Sequence, residues 1–432
     1  MGLYERCVVG VVEYLQKQMG LKVRRSIFTA QVVMWLMIRQ RLQRGGTLAS
    51  GVESLLCGEA DGLLSGCKRA REKRISHRTG GYSHARQRLP QLLCRQVLAE
   101  LVTRLREIVN PGGGRLAYVL DGSSLELEAS PTLVKQYPPA QNQYGRAHWP
   151  VLRMVVMHEA STGLAEIPHW GPMYGAAAES EQELAEKAMA ALAAGSIVIG
   201  DRNFGVFSIA WSAQQHGLDV VIRLKDDRAN KVAGGLIACE GERRVCWRPS
   251  RFDGRRRGGM PQDASIGGRL ISVRIGRGKS KQWLHLFTTL LLPQSEVVEL
   301  YGKRWNIETD LRSLKRTVSL RHVAARNESM MGKELLTAIA AYNLVRAVMA
   351  LAAHRHHLAP RQLSFSFVLN VVNARWPKLQ TITDVAVYQR EVLGMLDAAA
   401  QGQHPNRKHP RAYPRAVWGR AHSFPSRKDQ AL

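Results

Sequence analysis

The chain has 432 residues, enough for two or three domains and at least one large core. Its 62 Lys and Arg against 35 Asp and Glu leave a net charge of +27 and a pI near 10.4, an excess that calls for a polyanion to meet it. No apolar stretch is expected to reach the length of a membrane span, because the runs near Cys7–Val12 and Ala30–Ile38 are short and interrupted. No basic amphipathic anchor lies beside an aromatic face, so nucleic acid and not a membrane is the expected partner. Glu5 and Glu13 break the layout of a signal peptide. Cys7, Cys57, Cys67, Cys94, Cys239 and Cys246 form no CxxC pair and read as reduced core thiols, which suits the cytoplasm.

Residues 1–112 read as a helical, basic, DNA-binding domain. Val8–Met19, Ser26–Gln43 and Leu92–Val109 carry apolar residues at three- and four-residue spacing. Between them, KRAREKRISHRTGGYSHARQRLP sets Lys68, Arg69, Arg71, Lys73, Arg74, Arg78, Arg86 and Arg88 against Glu72 alone. A solvated linker is one reading. A DNA-contacting segment whose second half, Ser83 to Leu89, begins a helix is the sharper one, with Arg86 and Arg88 on phosphates.

At Pro111-Gly112-Gly113-Gly114 the pattern changes. Strands are expected at Leu116–Leu120, Val151–Met157, Ala165–Trp170, Ser196–Gly200 and Asp219–Leu224, with helices over Ser180–Ala193 and Val206–His216. This is an α/β unit with a mixed sheet. Residues 228–290, glycine- and arginine-rich around Arg255-Arg256-Arg257-Gly258-Gly259, read as a mostly β insertion with short strands at Leu270–Ile275 and Trp283–Leu291. Lys333–Ala353 is a long apolar helix that completes a catalytic domain over 113–350. Helices near Ser364–Val372 and Asp384–Ala400 fill a C-terminal region, 351–401, and 402–432 is a basic, Pro-rich tail.

Three carboxylates stand out. Asp121 in YVLDGSS and Asp201 in VIGDRNFG close expected strands, and ends of neighbouring strands in an open α/β sheet are where sites form. Asp121 could instead cap an Asp-Gly turn, and Asp201 could cap a helix or pair with Arg202. The third, Glu308, lies in YGKRWNIETDLRSLK. Wound as an ideal helix, that segment puts Tyr301, Arg304, Glu308, Arg312 and Lys315 in one stripe about 80° wide. Leu300, Ile307, Leu311, Leu314 and Val318 form an apolar stripe, and Gly302, Lys303, Asn306, Asp310 and Ser313 a small or polar side. A solvated ladder of salt bridges is the plain account. The alternative is the wall of a site holding metal and phosphate: three gathered acids repel unless hard cations neutralise them, and oxygen ligands select Mg²⁺ or Mn²⁺. Two such ions about 3.5–4 Å apart would serve phosphoryl transfer.

Tyr301-x2-Arg304-x3-Glu308-x6-Lys315 resembles the Y-x2-R-x3-E-x6-K signature of bacterial DDE transposases of the insertion-sequence-four family, and VLDGS and IGDRNFG look like that family's two aspartate regions. The resemblance covers roughly residues 80 to 350. It implies a ribonuclease-H-like core, with helices on both faces of the sheet and the β-rich insertion ahead of the glutamate helix. It also implies cut-and-paste transposition by a homodimer holding the terminal inverted repeats of a mobile element and target DNA. Carried over, Asp121, Asp201 and Glu308 would hold two Mg²⁺, with Mn²⁺ as substitute. Tyr301, Arg304 and Lys315 would grip terminal phosphates, as guanidinium forks, ammonium charges and phenols do in general. Arg312 is a phosphate contact or a salt bridge. Some relatives stack an insertion tryptophan on a flipped base; Trp283 in KQWLHLFTT is the candidate and Trp247 its rival, while burial in the insertion core is the plainer account of each. His158 and His285 read as core or surface residues. The expected reaction frees a 3′-OH at the element's end and joins it to target DNA. The rivals are a ribonuclease-H-like nuclease and a non-catalytic DNA-binding inhibitor of transposition.

Overall fold

The computed structural model describes residues 4–404 apart from 22–25, 44, 65, 73, 111, 144, 251–252, 254–259, 262, 277–281, 319 and 321–322. The tail from 405 onward, Lys73, Pro111 and the Arg255–Gly259 run therefore lie outside the described residues. Apolar runs build nine strands among the described residues: β1 (Ala117–Glu126), β2 (Pro139–Asn142), β3 (Gly145–Glu159), β4 (His169–Pro172), β5 (Ile197–Gly200), β6 (Asp219–Leu224), β7 (Gly241–Trp247), β8 (Ile266–Ile275) and β9 (Gln282–Thr288). They join one sheet in the order β2-β3-β1-β5-β6-β9-β8-β7, with β4 also on β3. β1, β5 and β6 run parallel; β3, β9 and β8 pair antiparallel to their neighbours. The mixed sheet with helices on both faces is compatible with a ribonuclease-H-like fold.

β1 does not stop at Asp121. Parallel pairing with β5 ends at Leu120↔Gly200, but antiparallel pairing with β3 carries β1 on to Glu126↔Val151. The region expected to be a β-rich insertion supplies a helix, Asp226–Ala233, and strands β7 to β9, which extend the main sheet beyond β6.

The strands' two-residue period sorts their side chains onto two faces. One face packs Tyr118, Leu120, Val198, Val220, Ile222 and Phe287 under the helices Glu181–Met189 and Phe207–Gln215. Ser180 starts the first of these with a capping box: its hydroxyl accepts from the Glu183 N–H while Glu183 accepts from the Ser180 N–H. The other face packs Val119, Ile199, Val221, Leu284 and Leu286 against Tyr301 and Ile307.

The N-terminal helices, among them Gly10–Gln18, Ala30–Leu42, Gly80–Arg88 and Gln91–Val109, share a single buried cluster with Phe365–Thr381 and Val385–Ala400. At its centre runs the long helix Glu328–Arg355, started by Asn327, whose side chain accepts from the Met330 N–H at 2.9 Å. This helix corrects the expectation about membrane spans. It is long and apolar enough to cross a membrane, yet 94% of its most apolar window is buried inside the protein. Two cysteines, Cys7 and Cys94, are core thiols; Cys57, Cys239 and Cys246 are exposed.

Candidate active site

Asp121 and Asp201 each follow by two residues a side chain buried against the Tyr301 helix, Val119 and Ile199, so strand alternation turns both carboxylates to that face. They stand one step past the last parallel pair, Leu120↔Gly200, which makes them direct neighbours across two strands. Both are half-buried. Asp121 is not a turn cap: Asp121 and Gly122 lie within β1, where the Gly122 N–H donates to Asp121 Oδ1 at 2.8 Å. The glycine makes room, since a Cβ there would lie 2.5 Å from the Glu181 carboxyl carbon. Nor does Asp201 cap a helix, because the next one starts at Phe207; its Oδ1 accepts from the Asn203 N–H at 2.8 Å, tightening the loop. Gly205 seats that loop on β6, as a Cβ there would lie 2.1 Å from the Arg223 carbonyl oxygen.

Burial, and then the charges of Asp201 and Glu181, push the Asp121 carboxyl up to about 6, while the Gly122 N–H and Arg304 pull it down. Among the described residues neither aspartate has a salt-bridge partner. A half-buried carboxylate pair left in this state is a place for a cation.

Above it runs the signature segment, which is not one ideal helix. Gln294–Gly302 is α-helical, Lys303–Trp305 a 3₁₀ turn, Asn306–Arg312 α-helical (the glutamate helix) and Ser313–Thr317 a π turn. The apolar stripe is buried as expected at Ile307, Leu314 and Val318. The flanking stripes are not both wet: Tyr301 of the charged stripe is 5% exposed, and Asp310, on the side expected to be polar, is wholly buried. Tyr301 Oη and Arg304 Nε are buried without hydrogen-bond partners among the described residues. Burial raises the Tyr301 hydroxyl above its ordinary range against the pull of Arg304 and Arg223. The Arg304 guanidinium lies 5.0 Å over the exposed Trp305 ring. A buried donor with nothing to bind suits an anionic ligand.

The structure brings Asp121, Asp201, Tyr301 and Arg304 together. It does not close Glu308 onto the pair: that side chain is exposed on a helix packed beside β1, and among the described residues no three His, Cys, Asp or Glu side chains gather closely enough for a metal. Arg312 is exposed and Lys315 half-buried further along. Trp283 alternates with Leu284 and so lies on the opposite sheet face, stacked on His285 at 5.5 Å with the Arg274 guanidinium 4.7 Å over its ring. Trp247 is a core residue against Phe207 and Phe287. Arg88 is exposed, whereas Arg86 is largely enclosed and pairs with Glu334 of the long helix at 2.8 Å.

Sequence reading missed Glu181, whose carboxylate accepts from Asn203 Nδ2, and Arg223 beside Tyr301. Arg223 was findable, because it follows Val221 by two and alternation puts it with the aspartates.

A family model described as "Transposase DDE domain" matches residues 112–344. The chain belongs to the DDE transposase family. It is 26% identical over 333 residues, 74% of this chain and 72% of the relative, to "Transposase InsG for insertion sequence element IS4" of Escherichia coli (strain K12). The protein is thus a DDE transposase, an enzyme of metal-dependent DNA cleavage and strand transfer, and DDE domains generally depend on divalent metal.

Proposed function

We propose that this transposase cuts a bacterial insertion sequence out at its terminal inverted repeats and joins the freed 3′-OH ends to target DNA. The observation that carries the reading is the Asp121–Asp201 couple, without a salt bridge among the described residues, under the segment bearing Tyr301, Arg304 and Glu308. Asp121 and Asp201 would hold divalent metal, two Mg²⁺ or Mn²⁺ in all, with Glu308 the third ligand once its exposed side chain turns inward on DNA. The metal would supply an activated oxygen nucleophile and charge neutralisation at the leaving oxygen.

This chain's residues do the rest. Arg304 and Tyr301 offer unsatisfied donors to a terminal phosphate, with Lys315 and Arg312 extending the grip along the strand. In the first step water displaces the 3′ oxygen from a phosphodiester at the element's end, leaving a 3′-OH on the element and a 5′ phosphate on the flank. In the second, that hydroxyl displaces a 3′ oxygen from a target phosphodiester. One P–O bond forms and one breaks each time, and the leaving oxygen takes up a proton.

Arg88, on the exposed side of Gly80–Arg88, contacts duplex phosphate, and Arg86 holds that helix through Glu334. Trp283 is a DNA contact on the other sheet face. The ribonuclease-H-like catalytic core spans 113–350, and a homodimer joined through 351–401 pairs the two ends on DNA in the cytoplasm, at the nucleoid. The deciding experiment is cleavage of a duplex carrying the inverted repeat that flanks this reading frame. Mg²⁺-dependent 3′-OH ends that vanish in Asp201→Asn support the reading; cleavage of any duplex irrespective of the repeat would return it to a general nuclease.

A further inference from the structure

The back of the glutamate helix carries a charge cluster for which phosphoryl transfer has no use. Asp310 is wholly buried and lies two residues beyond Glu308, about 200° around the helix axis from it. Arg361 Nη1 donates to Asp310 Oδ1 at 2.7 Å and Oδ2 at 2.6 Å, and Arg346 Nη2 also pairs with Oδ1. Arg346 belongs to the long helix, is 3% exposed, and donates through Nε to Tyr342 Oη at 2.8 Å. Arg361, in the turn Pro360–Gln362, also reaches the Glu159 and Ala160 carbonyls at 2.8 and 3.2 Å. The sheet, the long helix and the start of the C-terminal region thus converge on one carboxylate.

Packing alone does not explain this arrangement. Apolar residues of similar volume would fill the same space, and exchanging a buried ion cluster for them is often neutral or favourable for stability. What the cluster adds is direction. The glutamate helix has seven residues between a 3₁₀ and a π turn, too few to hold its own orientation. Its apolar contacts at Ile307 and Leu311 permit some rolling, whereas Asp310, held by Arg346 and by an Arg361 guanidinium itself fixed on the Glu159 and Ala160 carbonyls, does not.

We propose that Asp310, gripped by Arg346 and Arg361, is a positioning residue that sets the rotation of the glutamate helix and so aims Glu308 at the Asp121–Asp201 pair. Arg361 makes that aim depend on the C-terminal region. The inference rests on Glu308 being the third catalytic carboxylate.

The test uses the full chain with Arg361→Lys, which keeps the charge beside Asp310 and loses the guanidinium's bonds to the Glu159 and Ala160 carbonyls. The Mg²⁺ dependence of end cleavage and end-DNA binding by mobility shift are read well below the melting temperature, and the rise in melting temperature that Mg²⁺ produces without DNA is read from thermal unfolding. We expect half-maximal cleavage to need at least fivefold more Mg²⁺, saturated cleavage to fall about tenfold, the Mg²⁺-induced melting shift to shrink, and DNA binding to stay within twofold. An unchanged Mg²⁺ dependence and rate in the folded variant overturns the proposal. If Arg361→Lys fails to fold, the triple variant Asp310→Leu, Arg346→Met, Arg361→Met fills the space without charge and must show the same Mg²⁺ shift. Glu308→Gln, run alongside, separates the two ideas. Retained cleavage there removes the reading of the site itself. Lost cleavage there with normal Arg361→Lys removes only the positioning role.

Discussion

Two regions of this molecule bury charge, and they treat it in opposite ways. Along the long helix, Glu334 takes Arg41 on one oxygen and Arg86 on the other, both at 2.8 Å, and Asp310 takes Arg346 and Arg361. At the sheet edge, among the described residues, Asp121 and Asp201 stand side by side without a salt bridge, and Tyr301 Oη and Arg304 Nε are buried without a hydrogen-bond partner. In the first region each carboxylate meets two guanidinium groups within the chain, which fixes helices to one another. In the second the answers are missing, and metal and phosphate would supply them. The state of pairing, more than burial, separates structural charge from chemical charge here.

The contrast can be broken most forcefully at the sheet edge. Asp121→Asn, Asp201→Asn or Glu308→Gln is expected to lower end cleavage by roughly 10³-fold or more, about 4 kcal/mol of transition-state stabilisation, with end binding retained in a mobility shift. A variant that cuts near the wild-type rate would remove its residue from the metal set. In the interior, Glu334→Ala removes the carboxylate that Arg41 and Arg86 share and should cost about 3 kcal/mol or more in urea unfolding, with lost DNA binding only as a consequence.

His158 sharpens the comparison through pH. It is wholly buried at 3.8 Å from Asp310, and burial pulls its pKa down to about 4. Because the folded value is depressed, the unfolded chain takes up the proton first, near pH 6.5. Stability is therefore full above that pH and drains as pH falls from 6.5 toward 4, by an amount on the order of 3 kcal/mol. His158→Gln should flatten this acid limb in melting curves; an unchanged slope would assign it to other groups. Arg304→Ala should weaken end-DNA binding roughly 10–100-fold, the value of a charge-assisted hydrogen bond of about 1.5–3 kcal/mol, without lowering the melting temperature. The smallest effect is expected at Arg88→Ala: binding weaker by a small factor at all sequences, and a log–log salt slope shallower by about one.

Much of this was legible in the residues. Asp219–Leu224 is a strand with the expected bounds, and Ser180 with Glu183 announces the helix that follows. Asp121 and Asp201 were found because an acid ending an apolar strand run is conspicuous, and they are neighbours as expected. Arg86 shows the limit. Its surroundings in sequence are a basic run, and only the fold reveals Glu334, 248 residues away, beside it. The stripe model of Tyr301–Lys315 failed in detail for a related reason: 3₁₀ and π turns break the even winding that such a projection assumes, and a helix between a sheet and a helical core has no wholly solvent side.

The sequence by itself determined the chemistry available: two strand-end aspartates, one glutamate in a Tyr–Arg–Glu–Lys frame, and a basic excess that only a polyanion answers. It did so because residue type and local period are properties of neighbours along the chain. The tertiary structure alone decided which charges are spent and which are free. Arg86 and Asp310 met opposite charges brought from distant segments, whereas Asp121 and Asp201 met each other. Pairing depends on contacts across tens to hundreds of residues, and no local pattern encodes them.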